Sequence, residues 1–386
     1  MLDYYRLSDQ FTDEERQTQT SVREFLDAEA LPYISGLWER AEFPRQLVPR
    51  LAELGLIGAN MPVEYGASGV GSLAYGLVMY ELERIDSGLR SFASVQGALC
   101  MYPILRYGSE EQRQAYLPRI ASGEMIGCFG LTEHSGGSDP GAMQTRARRD
   151  GDSCVINGVK VWISYGSIAD IAIIWAKDDE DGTIRGFLVP TDTPGFSGKK
   201  IERQMSLRTS GASELVLEDV RVPASAILPE AAGLSAPLSC LTQARYGISW
   251  GVLGPLEYVY EEALAFSKAR KTFGKPIGSR QLVQDKLADM LADHTSGLLR
   301  VCQLARLKDE GRLSYTHVSL AKRENTRAAL RGARLAREIL GASGITLDYH
   351  TIRHMLNLET VDTYEGTRDI HSLVLGRDVT GLDAFS

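Results

Sequence analysis

The sequence predicts an α+β protein, mainly helical, built as helices, then strands, then helices again. Three observations carry this. Apolar residues recur at helical spacing through the first third of the chain, short β-rich runs replace them between Cys128 and about Pro223, and helical spacing returns from about Leu238 to the end. Strands and helices do not alternate, which argues against a doubly wound parallel sheet. With 386 residues the chain is long enough for two or three domains. The expected divisions are 1–127, 128–236 and 237–386.

The elements follow in order. Thr12-Asp13-Glu14-Glu15 has the capping-box pattern that opens a helix, and Val22, Phe25, Leu26 and Ala30 follow at helical spacing. Helical patterns continue over 45–55, 73–87 and 109–121. In the middle region, SCVINGVKVWI sets Asn157-Gly158 between two β-rich runs, which predicts a hairpin. ADIAIIWAK, IRGFLVPTD and SELVLEDVRVP read as further strands. Two long amphipathic stretches without proline, 280–308 and 314–340, predict two long helices.

Composition narrows the function. The chain is 44% hydrophobic and 24% charged, an ordinary globular balance. A net charge of −8 argues against nucleic acid or an anionic membrane as the main partner. Cys100, Cys128, Cys154, Cys240 and Cys302 are scattered and odd in number, which fits small buried residues in a reducing compartment. The acidic, polar start is unlike a signal or transit peptide, and no apolar run approaches the about 20 residues of a membrane span. A cytoplasmic protein is expected, with the mitochondrial matrix after presequence removal as the alternative.

Several motifs fail on context. Gly69-Val70-Gly71 fits a loose dinucleotide fingerprint but follows no hydrophobic strand, so it reads as a loop. Asp178-Asp179-Glu180-Asp181-Gly182 lacks the bidentate Glu of a calcium loop, because Val189 holds the twelfth position, and reads as a hairpin turn. His350 and His354 are not followed by the HExxH pattern and read as structural. No metal site is expected. No GxSxG elbow or P-loop occurs.

Three places remain as candidates. In ELERIDSGLRS, Glu83 and Arg90 are seven apart and share a face of a continuous helix. They form either a solvated charged face or a buried pair, and a buried Arg would need an anionic partner. Ser135-Gly136-Gly137-Ser138-Asp139 is small enough for backbone N–H groups to approach a phosphate or a flat ring. In TYEGTRDI, Gly366 can take positive φ, Thr367 can cap a helix, and Glu365 lies just ahead of that helix N-terminus, where its dipole favours a carboxylate.

GCFGLTEHSGGSD, VKVWIS, ARKTFGKPI and YEGT occur in one order, and together they resemble the acyl-CoA dehydrogenase family over essentially the whole chain. ELERIDSGLRS, LTQARYGISWGVLG, YHTIRHMLNLETVDTYEGTRDIH and the final GLDAF look most like its glutaryl-CoA dehydrogenase subgroup. The resemblance implies an N-terminal helical domain, a central β-barrel-like domain and a C-terminal four-helix bundle, with FAD at their junction. It implies a homotetramer and an electron-transfer flavoprotein as acceptor. It also implies Glu365 as the catalytic base, with Tyr364 as an apolar wall and Gly366 turning the chain. Arg90, Ser91 and Glu83 match the site for the distal carboxylate of glutaryl-CoA. Ser138, Arg245 and Phe385 resemble other substrate or CoA contacts.

The flavin contacts implied in the same way are Phe129, Leu131, Thr132, Ser138, Trp162, Ile163 and Ser164. Arg270, Phe273, Gln281, Glu338, Gly341, Ala342, Thr367 and Asp369 complete the set, with Arg270 supplied across a subunit interface. Tyr165, His134, Ala342 and Arg368 depart from the residues usual in the family. The implied reaction is oxidation of glutaryl-CoA with decarboxylation to crotonyl-CoA, a step of lysine and tryptophan degradation. The alternative is an acyl-CoA or acyl-carrier-protein dehydrogenase of other specificity, a class that includes non-decarboxylating enzymes.

Overall fold

The structure, a computed structural model, describes residues 1–385. Its first helix, α1 (Asp13–Glu29), opens on the expected capping box: Thr12 Oγ1 accepts the Glu15 N–H at 3.2 Å and Glu15 Oε2 accepts the Thr12 N–H at 2.7 Å. It buries Val22, Phe25 and Leu26. There follow α2 (Leu31–Arg40), α3 (Val48–Glu53), α4 (Ser72–Ile85) and α5 (Ser87–Ser94). A π-helical turn, Val95–Met101, then leads into α6 (Tyr102–Tyr107) and α7 (Glu110–Ala121).

Glu83 and Arg90 do not share a continuous helix. Asp86 is extended (φ −161°) and breaks the chain between α4 and α5. Its carboxylate caps the Gly88 N–H at 2.8 Å and also accepts from Thr209 Oγ1 at 2.5 Å, Asn357 Nδ2 at 2.9 Å and the Arg353 guanidinium. Four donors, three of them distant in sequence, satisfy a fully buried charge and fix the bend.

The middle region is one curled seven-stranded sheet. Its strands are β1 (Gly127–Gly130), β2 (Arg146–Asp150), β3 (Ser153–Ser164), β4 (Ile171–Asp178), β5 (Ile184–Pro190), β6 (Phe196–Lys200) and β7 (Ala212–Pro223). The order is β1-β4-β2-β3-β7-β6, with β5 also on β4. The β1–β4 and β2–β4 pairs are parallel and the others antiparallel. The hairpin expected at Asn157-Gly158 is absent: both residues lie inside β3, at a register shift against β7. Asn157 bonds the Asp219 backbone N–H at 2.8 Å and its carboxylate at 3.0 Å, and a Cβ at Gly158 would collide with Thr145. The glycine serves a bulge and a close approach, and the turn lies earlier, at Gly151-Asp152. The turn expected at 178–182 does join β4 to β5.

The chain then forms α8 (Ser235–Gly251), α9 (Leu253–Ala269), a small hairpin of β8 (Lys271–Thr272) and β9 (Lys275–Pro276), α10 (Gln281–Asp309) and α11 (Tyr315–Leu340). Helices α8 to α11 pack as the four-helix bundle, and α4 packs across α8 and α9. Gly76 makes room for the Trp250 ring at that crossing. One apolar cluster therefore runs through both helical regions, and a second lies within the sheet. Two shorter helices, α12 (Thr351–Thr363) and α13 (Arg368–Thr380), finish the fold. His350 and His354 are structural: both lie against Tyr258, and Arg353 Nη2 is 3.0 Å from His350 Nδ1. Gly69-Val70-Gly71 is the loop ahead of α4.

Candidate active site

The four residues between α12 and α13 turn the chain sharply. Glu365 (φ 51°) and Gly366 (φ 92°) are both left-handed. For a glutamate this conformation costs about 1–2 kcal/mol, so the surroundings must hold it. They do so through three successive carbonyls. Lys322 Nζ donates to Tyr364 O and Gly366 O, each at 2.7 Å, and Arg245 Nε donates to Glu365 O at 2.6 Å. Thr367 caps α13 by accepting the Ile370 N–H at 3.2 Å, as the sequence implied. A Cβ on Gly366 would lie 2.9 Å from His371 Nε2 and 3.3 Å from Arg245 Nη2, so only glycine fits there.

The Glu365 carboxylate faces inward, and its Oε2 has no hydrogen-bond partner among the described residues. Burial raises its pKa, and the Arg90, Arg245 and Lys322 cations oppose that rise. The result is a partly desolvated carboxylate held among three cations.

Arg90 and Glu83 lie beside it. Arg90 Nε donates to Glu83 Oε2 at 2.7 Å, and both side chains are 0% exposed. The solvated-face alternative therefore falls. Arg90 Nη1 and Glu83 Oε1 have no partner among the described residues. Arg90 Nη2 donates to the Tyr364 hydroxyl, so Tyr364 is more than an apolar wall: burial keeps its phenol neutral and it ties Arg90 to the Glu365 bend. Gly251 of α8 lets that helix approach, since a Cβ there would strike Glu83. Ser91 is buried on α5 next to Arg90. The tyrosine at 165 closes this side, its hydroxyl donating to Gly88 O at 2.8 Å and its ring edge-on to Phe43 and Phe92.

A second group lies at the ends of β1 and β3. Phe129 and Leu131 are buried, and the Val161 N–H donates to Thr132 O at 2.9 Å. The β3–β7 register shifts between Lys160 and Ile163, and this bulge turns Trp162 outward at φ 61° with its ring 60% exposed. Ile163 and Ser164 then resume pairing with Ser213 and Ala212. Beneath them Lys160 Nζ donates to Glu133 Oε1 at 2.7 Å and Leu131 O at 3.1 Å, a buried pair that fixes this segment.

The remaining candidates lie at the surface. Arg270, Phe273, Gln281, Glu338, Gly341 and Ala342 are exposed. Glu338 lies 338 − 322 = 16 residues along α11 from Lys322, about 24 Å of helix. It pairs with Lys286 of α10 at 2.5 Å. Phe273 is 97% exposed on the β8–β9 turn. Ser138 is exposed in the loop after β1, Asp369 is exposed in the first turn of α13, and the Phe385 ring lies 5.6 Å from the Arg377 guanidinium.

Sequence reasoning missed Lys322, Lys160 and Glu133. A signal existed for the first. Val318, Ala321, Asn325, Thr326 and Ala329 form the buried stripe of α11, and Lys322 falls within it.

Domain models for acyl-CoA dehydrogenases match residues 12–124 (N-terminal domain), 128–220 (middle domain) and 231–380 (C-terminal domain). The chain belongs to the acyl-CoA dehydrogenase family. A crystal structure of glutaryl-CoA dehydrogenase from Mycobacterium smegmatis is 49% identical, with 98% of each chain covered and a TM-score of 0.96. A second structure of a glutaryl-CoA dehydrogenase from that organism, in complex with FADH2, is 48% identical over 100% of this chain and 99% of that one, with a TM-score of 0.97. The human mitochondrial short-chain specific acyl-CoA dehydrogenase is 35% identical over 92% of this chain and 87% of its own length.

The family uses FAD. The residues present here fit it: Trp162 offers an exposed aromatic face next to Val161, whose N–H bonds Thr132 O.

Proposed function

We propose that this acyl-CoA dehydrogenase oxidises glutaryl-CoA to glutaconyl-CoA and decarboxylates it to crotonyl-CoA. The observation that carries this reading is Arg90, a fully buried guanidinium with one edge on Glu83 and Nη1 unused. A ligand carboxylate completes it, whereas a methyl-ended acyl chain leaves the donor unpaired.

Glu365 takes the α-proton of the thioester. The Arg90, Arg245 and Lys322 charges favour its ionised form, so the rate of reaction rises with pH through a pKa set above the ordinary carboxylate range by burial. The Glu365 backbone N–H, which meets no acceptor among the described residues, serves the thioester oxygen as negative charge develops there. Trp162, Ile163, Ser164, Phe129, Leu131 and Thr132 would hold FAD, which when bound accepts the β-hydrogen as hydride. Decarboxylation then breaks the bond from the γ-carbon to the carboxylate. CO2 leaves, its electron pair delocalises into the enoyl thioester, and a proton adds at the γ-carbon. Arg90 orients the departing carboxylate throughout.

Electrons pass onward to an electron-transfer flavoprotein. The active form is a homotetramer, a reading supported by the exposed Arg270 and Phe273 hairpin and by Leu282, 77% exposed beside it. The experiment is anaerobic mixing of the purified yellow protein with glutaryl-CoA. Flavin bleaching with crotonyl-CoA and CO2 formed is the expected result. Bleaching with glutaconyl-CoA retained would remove the decarboxylation step.

A second reading is a dehydrogenase of other acyl-CoA or acyl-carrier-protein specificity. It is favoured by the 35% identity to a short-chain enzyme. Bleaching by butyryl-CoA but not by glutaryl-CoA would establish it.

A further inference from the structure

Lys322 is 0% exposed on the core face of α11, among Val318, Ala321, Asn325 and Thr326. A buried ammonium is retained only where it is paired and hydrogen-bonded. The partners of this one are unusual. Nζ takes Tyr364 O and Gly366 O at 2.7 Å each, the carbonyls on either side of Glu365, while Arg245 takes the carbonyl between them. Three consecutive carbonyls are therefore fixed by cations from two helices that are remote in sequence. The residue so clamped is the one non-glycine in that turn with positive φ.

We infer that Lys322 is a positioning residue for Glu365, holding the left-handed bend so that the carboxylate faces the reacting carbon. This rests on the reading of Glu365 as the base. The charged groups that face Lys322 come from every element around it: Glu365 on the bend, Asp362 on α12, Arg245 on α8 and Arg90 on α5, with His371 of α13 close by. Burial lowers the Lys322 pKa, and the Glu365 carboxylate opposes the change, so each charge supports the other. A second contribution follows from geometry alone: without Lys322, two partly buried carbonyls lose their donor and the bend can relax.

The test uses the FAD-loaded protein under anaerobic conditions. The limiting rate of flavin bleaching and the half-saturating glutaryl-CoA concentration are measured against pH for wild type, Lys322→Met, Lys322→Arg and Glu365→Gln. Butyryl-CoA serves as the probe if glutaryl-CoA does not bleach the flavin. Lys322→Met is expected to keep its yellow colour and its half-saturating concentration, and to lose about 100-fold in the limiting rate, the scale of a small misplacement of a reacting group. Its acid limb is expected to move to higher pH, because a cation that favoured the carboxylate has gone. Lys322→Arg should recover part of the rate and return the limb.

A limiting rate within about threefold of wild type with an unmoved acid limb would overturn the inference. So would equal losses in rate and substrate affinity with no shift of the limb, which mark a merely structural lysine. Should Lys322→Met fail to fold, Lys322→Gln, which keeps a neutral donor, is read in the same way. If Glu365→Gln bleaches as fast as wild type, the base assignment itself fails, and that result is distinct from a silent Lys322 beside an inactive Glu365→Gln.

Discussion

Two turns in this molecule use the same backbone device and end very differently. At Glu365-Gly366 the φ values are 51° and 92°, and at Phe273-Gly274 they are 49° and 77°. Each sets a non-glycine residue in the left-handed region and follows it with a glycine. The first is clamped by Lys322 and Arg245 and packed against His371. The second stands in solvent, with nothing within 4 Å of where a Gly274 Cβ would be and with Phe273 97% exposed. The strained conformation is similar in both, so what differs is who supplies the support. The chain itself completes the Glu365 bend. The Phe273 side chain has no such support: the hairpin's own β8–β9 pairing and the bond from Arg280 Nη2 to Thr272 O at 3.0 Å hold the turn's backbone.

The contrast can be broken by substitution, and the largest effect belongs to the clamped turn. Glu365→Gln should keep the bound flavin and slow its reduction by about 10²–10⁴-fold or more, because the proton acceptor is gone. Stopped-flow absorbance reads this directly, and normal bleaching would refute the assignment. Gly366→Ala comes next. Both its φ and its contact with His371 oppose a Cβ, so a loss of about 2–3 kcal/mol is expected in denaturant unfolding. Gly274→Ala should cost only about 1 kcal/mol, the conformational part alone. Equal losses would mean that packing against His371 contributes nothing. The smallest effect on the isolated subunit is Phe273→Ser, within about 0.5 kcal/mol. The same change should lower assembly in sedimentation and loosen FAD. An unchanged assembly and flavin content would separate this turn from the cofactor.

Local chemistry was readable from the sequence at two helix starts that contain their own partners. Thr12 and Glu15 lie three residues apart and cap each other, and Thr367 caps α13 within one turn. The α, β, α order follows from periodicity alone. The failures have a common physical cause, which is that the deciding partner is distant. Asp86 breaks the helix because Thr209, Arg353 and Asn357 reach it from elsewhere. Asn157-Gly158 bulges instead of turning because Asp219 and Thr145 meet it across the sheet. Glu83 and Arg90 met despite the wrong helix geometry, because a bend after Ile85 still left both facing α8. The Glu365 motif was recognised by resemblance, but its own positive φ and the lysine beneath it were not.

The measurement that bears most directly on the account compares substrates. The limiting rates of anaerobic flavin bleaching by glutaryl-CoA and by butyryl-CoA are determined for wild type and for Arg90→Gln. Loss of a desolvated charge partner should penalise glutaryl-CoA by about 2–5 kcal/mol relative to butyryl-CoA, collapsing the wild-type preference. Equal losses on both substrates would make Arg90 a structural residue and remove the ground for a dicarboxylic substrate.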